Sequence, residues 1–146
     1  MFLHDGILHI GLNMLSLYFI GPAVEITYGK VRYLAIYLIS GIMGGVLSLL
    51  ISLFGDPAQA VVPILGASGA IFGIFGALGA FYLLNRKELG INGRGAIGNW
   101  LFWLGINLLI GFMPGSNIAV WAHVGGLVAG VILAIVLLPR QRFFRR

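Results

Sequence analysis

Residues Ile64–Leu84 read I-L-G-A-S-G-A-I-F-G-I-F-G-A-L-G-A-F-Y-L-L, with no charge, one serine near the head, and glycine at 66, 69, 73, 76 and 79. A membrane-crossing helix needs ~20 apolar residues at 1.5 Å rise each, and this segment supplies them. From Gly69 onward the glycines recur at helical spacing and make one smooth face along which a second helix can approach closely. A helix that is apolar all round has no face for water. The segment therefore predicts an all-α fold in lipid, and the chain around it can be tested against that reading.

Four further apolar runs fit. They extend from about Gly6 to Ile26, Tyr33 to Phe54, Ile97 to Met113 and Ile118 to Leu138. Turn residues separate the five: Gly29-Lys30, Gly55-Asp56-Pro57, Asn85 to Gly95, and Pro114-Gly115-Ser116-Asn117, with Pro139 closing the last. Composition agrees. Of 146 residues 60% are hydrophobic and 9% charged, against roughly 25% charged in a soluble domain. One membrane domain over residues 1–139 and a basic tail over 140–146 are expected. The chain has no cysteine, which excludes disulfides and thiolate metal sites, and no cofactor or metal is expected. The net charge of +5 does not imply a nucleic-acid partner, because the basic residues sit in short clusters between apolar runs.

Those clusters set topology. Lys30 and Arg32, then Arg86, Lys87 and Arg94, then Arg140, Arg142, Arg145 and Arg146 fall on one side of a five-span chain, and they are all nine basic residues. That side is expected to be cytoplasmic, with the C-terminus, in a multi-pass protein of a bacterial-type plasma membrane.

Polar residues inside spans are costly and point to function. His9 and Asn13 stand in the first run, Ser68 in the third, Asn107 in the fourth and His123 in the fifth. Spans one, three and five run in the same direction. His9, Asn13, Ser68 and His123 then lie on the order of 5–10 Å below the outer surface. His9 and Asn13, four apart, share a helix face. A serine hydroxyl needs a base to become a nucleophile, and imidazole is the usual one. An amide N–H₂ and a ring N–H suit the oxyanion that develops on an attacked carbonyl. The four acids are Asp5, Glu25, Asp56 and Glu88, and all lie at termini, in loops or on the other side. The reading is therefore a Ser-His dyad, not a triad. Gly125, Gly126 and Gly130 give the last span a smooth face of its own, expected to meet that of the third span and bring His123 against Ser68. Asn107 is expected to bond across helices, and Trp100, Trp103 and Trp121 to anchor at the interface. Ser16, Ser40, Ser48 and Ser52 are read as hydroxyls bonded to the carbonyl four residues back.

His4-x4-His9-x3-Asn13, Gly66-Ala67-Ser68-Gly69 and Ala122-His123-Val124-Gly125-Gly126, in that order on these spans, resemble the rhomboid family of intramembrane serine proteases. The similarity runs from about His4 to about Gly130. It implies Ser68 as nucleophile and His123 as base, with an oxyanion hole of His9, Asn13, the Ser68 backbone N–H and Ala67. In supporting roles it implies His4, Gly66, Gly69, Phe72 (an aromatic ring packed on the base) and Gly126. Glu25 matches an acid at the inner end of the first motif-bearing helix. The implied substrates are single-pass or other transmembrane proteins, cut near the outer face. The family's core has six spans, with one helix and a long outer loop before the histidine motif, so the chain is expected to be a five-helix fragment of it. The alternatives are an inactive relative that binds membrane clients, and a transporter or channel. The latter requires polar groups at the midplane, where these spans are apolar.

Overall fold

A computed structural model describes residues 6–55, 67–113 and 119–138. Five helices and no strand are found among them: α1 (Gly6–Tyr28), α2 (Lys30–Phe54), α3 (Ser68–Leu84), α4 (Arg86–Phe112) and α5 (Val120–Val136). By length and composition α1, α2 and α4 suffice to cross a membrane, with mean hydropathies of 1.6, 2.3 and 1.4; α3 and α5 are shorter apolar helices of 17 residues. The outside of the bundle exposes many large apolar side chains, mostly isoleucine, leucine, phenylalanine and valine, with some methionine, tyrosine and tryptophan. That surface suits hydrocarbon and not water.

α3 is the central element and touches all four other helices. Every residue from Ala70 to Ala80 is buried except Phe75, which is partly so. The burial follows from residue size. A Cβ on Gly126 would overlap the carbonyl oxygen of Gly69, and one on Gly130 the carbonyl oxygen of Gly73. Residue numbers on α3 and α5 rise together along this seam, so the two helices run parallel. α2 closes the third side in the opposite sense, with Gly44 on the Ala122 carbonyl and Ser40 against Gly73. Val24 and Tyr28 of α1 join Ile36, Ile74, Ala77, Leu78 and Ala134 in one apolar cluster away from the Ser68 end, which aligns α1 with α3 and α5.

The boundaries differ from the sequence expectation in two places. α4 begins at Arg86 and not near Ile97, because Arg86–Ala96 is helical across a break at Gly90. Its glycines and charges read as a turn, yet a polar helical stretch at the end of a span is stable where its side chains meet water. α3 begins at Ser68 itself, while residues 56–66 lie outside the described part.

Candidate active site

Ser68 is the first residue of α3 and His123 the fourth of α5. The glycine seam brings the helix heads together, and His123 Nε2 lies 2.8 Å from Ser68 Oγ. With the ring proton on Nδ1, Nε2 accepts from the hydroxyl, which is the arrangement in which an imidazole removes a serine proton. Nδ1 is buried and bonds to no described residue, so no carboxylate among the described residues orients the ring. Its plane is held instead by Phe72, stacked on it at 4.2 Å between centroids and 10° between planes. Phe72 lies one turn after Ser68, so the helix that carries the hydroxyl also carries the wall against which the base rests.

The position of Ser68 at a helix head matters electrically. The first backbone N–H groups of α3 have no carbonyl within the helix to bond, and the aligned peptide dipoles place partial positive charge there. Ala67 precedes it, buried, with no side-chain cap on the helix.

α1 supplies the remaining polar groups. Asn13 is only 6% exposed and its amide nitrogen is buried with no partner among the described residues. A donor left so costs on the order of 1–3 kcal/mol, which is uncommon without a function to retain it. His9, one turn earlier, is near enough to His123 for a charge on one imidazole to be felt by the other. α1 and α5 nevertheless share no close backbone contact. α1 and α5 thus both pack on α3 without packing closely on each other.

The structure brings together Ser68, His123, Phe72, Gly69, Gly126 and Ala67, with His9 near His123; Asn13 is buried one turn after His9 on α1. His4 and Gly66 lie outside the described residues. Two expectations are overturned. Asn107 bonds within its own helix, Nδ2 donating to the Trp103 carbonyl at 2.7 Å, and does not cross to a neighbour. Trp100 is no interface anchor: it is buried, donates from Nε1 to the Phe75 carbonyl at 2.9 Å, and stacks on Phe75 at 5.6 Å. The part played by α2 was missed. Ser40, Gly44 and Ser48, each four apart and all buried, form a stripe of small residues that was legible at that spacing but was read as back-bonded hydroxyls. Of these serines, Ser52 and Ser16 do bond to the carbonyl four residues back, whereas Ser40 Oγ has no partner among the described residues.

The family profile for the rhomboid domain matches residues 1–140. The chain is 42% identical over 143 residues to RHOMBOID-like protein 2 of Arabidopsis thaliana, an alignment covering 98% of this chain and 42% of that protein. It is 42% identical over 144 residues to the rhomboid protease GluP of Bacillus subtilis, covering 97% of this chain and 26% of that one. RHOMBOID-like protein 1 of Arabidopsis thaliana is 39% identical over 141 residues, with 97% and 34% covered. The chain spans less than half the length of each of these curated relatives. No solved structure matches it with significance. A bundle of apolar helices carrying these motifs, matched by one family profile over nearly its whole length, is an integral membrane protein, and the chain belongs to the rhomboid family.

Proposed function

We propose that the chain is a serine endopeptidase that cuts transmembrane proteins near the outer membrane face by a Ser68–His123 dyad. The observation that carries this reading is the 2.8 Å contact between His123 Nε2 and Ser68 Oγ at the head of α3. As Oγ attacks the scissile carbonyl carbon, Nε2 takes its proton. The carbonyl oxygen becomes an oxyanion facing the Asn13 amide, the His9 ring N–H and the Ser68 backbone N–H. His123 returns the proton to the departing amine, and the C–N bond breaks. Water then attacks the acyl-serine, again losing a proton to His123, which passes it to Oγ as the acid product leaves. Phe72, stacked on the ring, keeps it in place. A substrate helix must unwind locally, since its carbonyls are tied into the helix ladder, so substrates are expected to carry glycine or another weak helix former near the cut. α1 and α4 make no close backbone contact among the described residues, which supports entry between them. Residues 1–139 form the protease domain in this reading. Residues 140–146 are its cytoplasmic tail, in a bacterial-type plasma membrane.

The test is fluorophosphonate labelling of the full chain in detergent. Labelling at Ser68 is expected, with Ser68→Ala and His123→Ala silent and the double variant no worse than either. Asn13→Ala should slow turnover of a transmembrane substrate by about 10²-fold, the cost of one oxyanion donor, without loss of stability, because its amide nitrogen gives up no bond. Absence of labelling in the folded wild type would replace the enzyme with a protein that binds membrane clients.

A further inference from the structure

Arg86, Lys87 and Arg94 surround one recess of about 410 Å³, together with Gly90, Ile91 and Ile97. A single helix makes it by bending on itself. Gly90 has φ 56° and ψ −132°, a conformation closed to residues with a side chain. A Cβ there would meet nothing within 4 Å, so the glycine serves the bend and not packing. The turn before it therefore leaves the axis of the helix after it, and cations from both sides of the bend face one space.

Three like charges around one recess repel, and among the described residues none of them is paired with a carboxylate. Glu88, in the same turn, is exposed and does not line the recess. Hydrocarbon lies beside the cations: Ile91 is 86% exposed, and Ile97 is the other apolar lining residue. All charges of α4 precede Ile97, and the helix is otherwise apolar enough to cross a membrane. The recess thus stands where water meets lipid. An exposed isoleucine offers nothing to a dissolved polyanion but covers part of an acyl chain. The volume falls within the ~300–1,000 Å³ usual for ligand sites.

The geometry points to a binding site for the phosphate of an anionic phospholipid, held by Arg86, Lys87 and Arg94 with the first acyl carbons along Ile91 and Ile97. This site is independent of the proteolytic reading, since it uses none of the same residues and is read by binding alone.

Its test is native mass spectrometry of the full chain released from nanodiscs of phosphatidylcholine containing a minor fraction of phosphatidylglycerol. The wild type should retain phosphatidylglycerol selectively. Arg86→Gln with Arg94→Gln should weaken retention on the order of 30-fold, from the loss of two direct contacts to the lipid phosphate at about 1 kcal/mol net each. Lys30→Gln with Arg32→Gln removes the same charge elsewhere and should change it by less than about threefold. Gly90→Ala keeps every charge and loses the bend, and should weaken retention about tenfold with helix content by circular dichroism unchanged. Equal losses from the two double variants would reduce the effect to general surface potential and overturn the site, as would full retention by Gly90→Ala. Release of the lipid by excess inorganic phosphate would make it a free-phosphate site and overturn the lipid assignment.

Discussion

α5 and α4 both pack on α3, but by opposite means. The α3–α5 seam is backbone against backbone: Gly69 and Gly73 meet Gly126 and Gly130 with no room for a methyl group. The α3–α4 seam is one large side chain in one notch, with the Trp100 indole lying over Gly79 where a Cβ would overlap it. In water the buried tryptophan would be the stronger of the two, because the hydrophobic effect scales with apolar area. In lipid that term vanishes, since leaving the notch exposes the ring only to hydrocarbon. What remains is close contact over many atoms, which favours the glycine seam. The seam that holds Ser68 against His123 is accordingly rigid, and the helix beside the site is the loosely held one.

Enlarging the glycine seam tests the comparison most severely. Gly126→Leu or Gly130→Val drives carbons into backbone that cannot yield, and should cost about 3 kcal/mol or more, read as lost folded yield and an early melt in detergent. A variant that kept wild-type melting would mean the seam is not the rigid element. Gly79→Leu and Trp100→Ala should each undock α4 while the remaining bundle holds, at about 1–2 kcal/mol. The double variant should be no worse than the more severe single, because both remove one contact. Additive losses would show that Gly79 and Trp100 act separately. Trp100→Phe keeps a ring in the notch and loses only the bond to the Phe75 carbonyl, for about 0.6 kcal/mol, the usual size of a side-chain hydrogen bond within a membrane. Smallest is Asn107→Ala. Its exposed amide bonds back to its own helix, so the melting midpoint should move by an amount equivalent to less than about 0.5 kcal/mol. A larger shift would mean that Asn107 reaches a neighbour after all.

Much of this was legible beforehand, for reasons particular residues make plain. Ser68 and His123 could be paired because each is a rare polar group at the same distance into a span of the same direction. The facing glycines at 69, 73, 126 and 130 supplied the means of approach. The small stripe Ser40–Gly44–Ser48 was equally visible, but hydroxyls that can bond locally did not announce a helix interface. Gly79 continues the series that meets α5, yet it receives Trp100 of α4. Spacing alone cannot say which neighbour a smooth face takes.

The division follows from what each kind of information contains. Hydropathy and charge along the chain determine that this protein lies in a membrane as a bundle of helices, and residue chemistry determines that it carries a serine, two histidines and an asparagine within reach of one level. Those properties are local, so a one-dimensional string holds them. Only the tertiary structure decided that Nε2 of His123 stands 2.8 Å from Ser68 Oγ, that Phe72 stacks on its ring, that Trp100 turns inward, and that the bend at Gly90 gathers three cations around one recess. Each of these depends on how helices rotate about their own axes and where they bend. Packing among all of them fixes that rotation, and no single segment encodes it.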